Sequence, residues 1–275
     1  MDSLSYSLFD LDFPDELNKL SKVIRYSHST LKKLAQISLI SYEEITVLTL
    51  YRKLIENIDG ILVLVDSGLD SPSTSVIRSA YEIFMQLEFI LENQKEFKSR
   101  ARSYYSTWLF EEITFIEKQL KSTHPLLEKE ILLLKLQKNN QLLDKEFKNY
   151  KIEIQNTMKR LNLRYPPKWY SLFNGPKSLG ELSKETSLQK VHNILYNGMS
   201  AEAHGLNSIT DLSTPGKNLI LQPIRKAELS LMPINLGRTF LTATTHKIVD
   251  KYLPNEFEVF RKFIITLFDE ENKNS

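Results

Sequence analysis

Apolar positions recur at helical spacing along nearly the whole chain, and most clearly between Pro72 and Glu92. There Ile77, Ala80, Phe84, Leu87 and Leu91, flanked by Val76, Ile83 and Ile90, form a broad stripe at 3.6 residues per turn. The opposite arc carries Arg78 and Glu82 at i,i+4, but Tyr81, Met85 and Phe89 share it, so this helix has apolar surface to cover on both sides. An exposed Arg-before-Glu pair is worth about 0.2–0.5 kcal/mol or less. Breaking a covered one costs about 3–5 kcal/mol.

The same periodicity predicts a helix from Phe13-Pro14 to about Ile40, with Leu17, Leu20, Ile24 and Leu31 on its stripe and a break around Ser27–Ser29. Ser41 and Glu44 form a capping box, in which hydroxyl and carboxylate satisfy backbone N–H groups reciprocally, ahead of a helix from Tyr42 to about Ser67. Gly68 suits a left-handed terminator, and Ser71 with Pro72 suits the cap and first position of the next helix. Residues 96–161 read as a hairpin: an aromatic-rich helix to Ser122, a stop at His124-Pro125, then one long charged helix from Leu126 to about Leu161. The charged half cannot bury much, so the hairpin is expected to protrude.

Residues 162–186, beginning with Arg164-Tyr-Pro-Pro-Lys-Trp, are the least regular part, with a short turn near Leu179–Leu182. They read as a linker or as a loop laid over a pocket. A helix through Tyr196 toward His204, a strand or hairpin in the residues from Ser213 through the run LILQPI, and closing helices over Lys226–Tyr252 and from Asn255 to about Asp269 complete the pattern, with a frayed tail at 270–275. The expectation is a single all-α domain over 1–275, a multi-helix bundle whose central helices come from 42–92 and 187–252.

Composition narrows the function. Thirty-six Lys and Arg against 34 Asp and Glu leave a net charge of +2, too weak a field to imply nucleic-acid or membrane binding, so any such partner must be met locally. With no cysteine there is no disulfide, thiolate metal site or Cys nucleophile, which suits a reducing cytoplasm. The apolar runs are punctuated by charge and the first residues are acidic, so neither a membrane span nor a secretory leader is expected.

None of the five histidines, His28, His124, His192, His204 and His246, sits at a recognised metal spacing, and the P-loop, the Gly-x-Gly-x-x-Gly loop and the Gly-x-Ser-x-Gly elbow are absent. No metal or cofactor is therefore expected. What remains is the series Tyr196-x-x-x-Ser200-x-x-x-His204, with Asn197 inside it, whose spacing places three polar side chains on one side of a helix. Read singly, His204 is a helix-terminal histidine and Ser200 a small packing residue.

Together, Tyr51-Arg52, Arg78-Ser79-Ala80-Tyr81-Glu82 and Ser200-Ala201-Glu202-Ala203-His204 resemble a group of uncharacterised bacterial helical proteins classed as a domain of unknown function, over most of residues 42–206. More distantly, the chain is similar to the nucleotide-binding helical bundles of higher eukaryotes and prokaryotes, many of which are metal-independent ribonucleases of toxin–antitoxin and phage-defence systems. That likeness implies RNA as the partner. His204 would move a proton between oxygens, Arg78 would stabilise charge at phosphorus and Glu82 would orient Arg78, while Tyr196, Ser200, Asn197 and Arg52 bind substrate. The signature of those bundles has its Arg just before the His; here no Arg lies between Arg164 and Arg225, so Arg78 would supply the cation from another helix. Two alternatives stay open. One is a non-catalytic interaction module, with a buried Arg–Glu–His network and the charged hairpin serving a homodimer or a partner protein; the other is a sensor of small anions.

Overall fold

A computed structural model describes residues 14–36, 41–124, 127–186, 188–189, 192, 195–196, 212–213, 220–221, 223–225 and 230–273. The described residues are overwhelmingly helical: α1 (Pro14–Gln36), α2 (Tyr42–Asp66), α3 (Asp70–Glu92), α4 (Phe97–Lys121), α5 (Lys129–Glu146), α6 (Lys148–Arg160), α7 (Leu179–Lys184), α8 (Met232–Tyr252) and α9 (Phe257–Lys273). The expected hairpin is a two-residue antiparallel ladder, Leu212 opposite Leu221 and Ser213 opposite Ile220. The protein is an all-α multi-helix bundle. It divides into two compact units, one of Met1–Leu39, Leu48–Glu88 and Leu188–Ser275, the other of Ile40–Val47 and Phe89–Ser187.

In the first unit, Leu20, Val23 and Leu34 of α1 are almost completely buried, so α1 is a core helix, beyond the central helices expected from 42–92 and 187–252. It packs along α8. The break expected near Ser27–Ser29 does not occur. Ser27 Oγ lies 2.8 Å from Thr245 Oγ1 of α8, and Tyr51 OH of α2 lies 2.8 Å from the same oxygen and donates to Ser27 O at 3.3 Å. A serine held by a neighbouring helix does not compete for its own backbone, so α1 stays continuous.

The helix ends follow local chemistry. Ser41 N–H reaches Glu44 Oε2 at 3.2 Å, and Glu44 N–H reaches Ser41 Oγ at 3.2 Å, a complete capping box. At the other end of α2, Gly68 adopts φ 75°, with Leu69 N–H on Leu64 O and Gly68 N–H on Val65 O, both at 2.9 Å, the paired bonds of a Schellman motif. Helix α3 starts at Asp70, ahead of the expected Ser71 cap. Ser73 N–H bonds Leu69 O, which places Ser71 and Pro72 inside the first turn, where a proline still lacks nothing. Helix α9 runs past the expected Asp269 to Lys273, through the good helix formers Glu270, Glu271 and Lys273.

In the second unit, α4 packs against α5 and α6, and the expected single helix from Leu126 to Leu161 is two, broken at Phe147 (φ −126°, ψ 23°). The cause is burial. Phe147 is fully enclosed with Leu109, Ile113 and Leu143, stacked on Tyr105 at 5.4 Å and edge-on to Tyr42 at 5.0 Å. Arg102 Nη2 donates to Glu146 O at 2.8 Å, satisfying a carbonyl that the break exposes, and Arg102 Nη1 pairs with Glu43 at 3.2 Å.

The irregular 162–186 region holds a short 3-10 segment, Trp169–Asn174, and α7, capped by Ser178 Oγ accepting from Glu181 N–H at 3.2 Å. Phe173 (φ 54°) and Asn174 (φ 62°) are consecutive left-handed non-glycine residues, each strained by about 1–3 kcal/mol. Phe173 N–H donates to Glu153 Oε1 at 3.0 Å, and Arg160 Nη1 donates to Asn174 Oδ1, which holds the turn in shape.

Phe147→Ala is expected to lower stability by about 3–5 kcal/mol, read from the urea midpoint. A loss under about 1 kcal/mol, the scale of a surface change, contradicts the role given to this ring.

Candidate functional site

Helix α3 carries polar groups among nearly sealed apolar ones. Ile77, Ala80, Tyr81, Met85, Leu87 and Ile90 are wholly buried, so both arcs of the helix are covered, Tyr81 and Met85 included. Arg78 stays part-exposed. Its Nη2 donates to Tyr196 OH at 3.0 Å, across 118 positions of chain, and its guanidinium lies 5.0 Å from the centre of the Tyr196 ring. Its Nε lies 3.5 Å from Glu82 Oε1, with side-chain exposures of 19% and 35%. At that exposure the pair is a screened helical one, worth a few tenths of a kcal/mol rather than the several of a sealed ion pair.

One turn further along α3, Tyr81 OH lies 2.9 Å from Nδ1 of His192, and the His192 ring stacks on Tyr196 at 5.2 Å. Arg78 thus meets Tyr196 while Tyr81 meets His192, two links that run in opposite chain directions. Tyr81 and His192 are buried, with Phe240 of α8 5.6 Å from the Tyr81 ring. Burial pushes the Tyr81 phenol up to about 12 and the His192 imidazole below its ordinary value, so both are neutral at pH 7. Which of the two donates is set by the His192 tautomer, since a neutral imidazole carries its one ring proton on either nitrogen.

Of the residues singled out in the sequence, Arg78, Glu82 and Tyr196 come together. Arg52 does not join them through any contact described; its Nε pairs with Glu56 Oε1 at 2.9 Å, and the side chain is 70% exposed. Asn197, Ser200 and His204 lie outside the described residues. Sequence reasoning passed over His192, although its i,i+4 spacing to Tyr196 puts the two on one helix side. It also passed over Glu88, buried on α3, whose Oε2 accepts from Lys247 Nζ of α8 at 2.7 Å. No spacing links residues 159 positions apart.

Among the described residues, no cluster of three or more His, Asp or Glu has the makings of a metal site, and no helix is long and apolar enough to cross a membrane. The chain matches the model of a family of unknown function, DUF5677, over residues 44–217. It belongs to that family. No curated protein and no solved structure matches it. The DUF5677 span takes in Arg78, Glu82, Tyr81, His192 and Tyr196 together with Ser200 and His204, whereas Lys247 and the α8–α9 helices lie beyond it.

The lowered pKa of His192 has a pH signature. The unfolded histidine takes up a proton below about pH 6.5 and the folded one resists, so stability is lost as pH falls from about 6.5 through the window beneath it. In His192→Gln, the melting temperature is expected to fall less steeply over that window than in the wild type. Equal slopes contradict the burial of a neutral ring.

Proposed function

We propose that this DUF5677 protein acts on RNA, as an RNA-binding protein or metal-independent ribonuclease of bacterial toxin or phage-defence type working in the cytoplasm. The observation that supports the reading is the 3.0 Å hydrogen bond from Arg78 to Tyr196. It brings the α3 guanidinium to the first member of the Tyr196–Ser200–His204 series, from a helix that sequence alone leaves 118 positions away. In this reading Arg78, steadied by Glu82 and Tyr196, faces the phosphate and stabilises the charge gathering on its oxygens. His204 takes the proton of the ribose 2′-hydroxyl, whose oxygen attacks phosphorus, or gives one to the departing 5′-oxygen. Ser200 and Asn197 are assigned to phosphate oxygens and Arg52 to the basic surface beyond. A second copy is assigned to the charged hairpin, where Ile131, Leu133 and Leu134 are 42%, 55% and 68% exposed.

A second reading draws on a different observation. Tyr81 and His192 are buried and hydrogen-bonded to each other, as expected of a polar network that fixes the register of two helices in a non-catalytic interaction module.

The two readings separate on total RNA. Catalysis predicts that the wild type cleaves it, that His204→Ala loses about 10²-fold or more of the rate, and that its melting temperature is unchanged. Arg78→Lys, which keeps charge but loses the fork, is expected to be slow as well. A wild-type chain that neither cleaves nor retards RNA overturns the proposal and leaves the network reading.

A further inference from the structure

The second unit contains a cavity of about 470 Å³ whose walls come from the end of α3, the start of α4, the Trp169–Asn174 segment and α7. Its size lies within the range of small-molecule sites. Phe89, Trp169 and Tyr170 supply an aromatic lining, Trp169 standing 5.8 Å from Phe89 and 5.6 Å from Tyr170. Among these rings lies Arg100, its guanidinium carbon 3.7 Å from the centre of the Phe89 ring and its Nη1 donating to Phe89 O at 2.5 Å. Stacking against one face and a backbone bond at one nitrogen fix the plane of the fork. Burial lowers the Arg100 pKa, and the carboxylates whose charge reaches it, Glu96, Glu185 and Glu92, act from beyond ion-pair distance among the described residues. A part-buried guanidinium with one carbonyl for five donors keeps hydrogen-bonding capacity for a ligand in the cavity.

The remaining wall is built rather than loose. Phe173 and Asn174 are held in left-handed conformations by Glu153 and Arg160, and Ser171 Oγ donates to Pro176 O at 2.6 Å. At Gly175 a Cβ would come 2.1 Å from Tyr170 O, so only glycine closes the turn. Strain of this kind persists where surrounding contacts over-determine it, and it concentrates at ligand sites.

We propose that this cavity binds a small monocarboxylate with an aromatic body, its carboxylate forked by Arg100 and its ring against Trp169 and Tyr170. Planar oxyanions match the guanidinium fork. The charge of the lining selects among them. Arg100, Lys177 and Lys184 are balanced by Glu96, Glu181 and Glu185, so one negative charge is accommodated beside Arg100, while a phosphate dianion or a polyanion meets three carboxylates. The site uses residues of the second unit alone, so it stands or falls separately from the reading of Arg78.

The test is titration of the full chain with phenylacetate and indole-3-acetate, followed by calorimetry and melting temperature, with phenylacetamide and inorganic phosphate as controls. Saturable binding of at least one acid is expected, with a rise in melting temperature that grows with its concentration. Arg100→Gln should weaken binding about 10–100-fold, and Arg100→Lys, which keeps the charge and loses the fork, should weaken it less. Should Arg100→Gln fail to fold, the lysine variant carries the comparison. No binding of either acid, equal affinity for phenylacetamide, tighter binding of phosphate, or lysine and glutamine variants as tight as wild type would each overturn the proposal.

Discussion

Helix α3 is covered on both arcs, and that constraint decides where the polar groups of the first unit go. A helix with Ile77, Ala80, Tyr81, Met85, Leu87 and Ile90 all sealed keeps only a narrow strip that water reaches, where Ser79 is exposed and Arg78 and Glu82 are part-exposed. Each polar group it carries must be matched by the protein or be held at the margin, because an unmatched buried group costs about 1–3 kcal/mol and a buried charge more. The matches are specific and distant: Tyr196 for Arg78, His192 for Tyr81 and Lys247 for Glu88. They tie α3 to the 188–196 segment and to α8, and they are directional, so they specify register where apolar packing alone tolerates a slip.

The same logic runs through the other polar groups in the core. Ser27, Tyr51 and Thr245 share their hydroxyls across α1, α2 and α8, and burial drives the Tyr51 phenol well above its ordinary pKa, so it stays a donor throughout the physiological range. In the second unit Arg102 serves Glu43, Glu146 O and the face of Phe147 at once. One cation therefore supports a helix break, an ion pair and an aromatic core. Arg100, a half-turn earlier on α4, is left with one carbonyl and one ring, and that contrast marks the cavity beside it.

Much of this was legible in the chain. Local signals worked where the physics is local: the Ser41–Glu44 box, Gly68 ending α2, and the stripe of α3 needed only neighbours in sequence. The irregular stretch at 162–186, which reads as a linker or as a loop over a pocket, lines a cavity. What escaped depended on partners far away. A straight helix over 126–161 was the local expectation, and it fails because Phe147 is drawn into a core made by Tyr42, Tyr105 and Leu109. Ser27 looked like a helix breaker until Thr245 took its hydroxyl. The spacing that led from Tyr196 forward to Ser200 and His204 leads equally backward to His192, the histidine that meets α3 among the described residues.

The arrangement of the first unit rests on the linkage between α3 and the segment that carries Tyr196. A double-mutant cycle on Arg78→Gln and Tyr196→Phe, with stability read from urea unfolding, measures it directly. A coupling of about 0.5–3 kcal/mol is expected, the range for side chains in contact. Single effects that add within about 0.3–0.5 kcal/mol, as for independent sites, would contradict it.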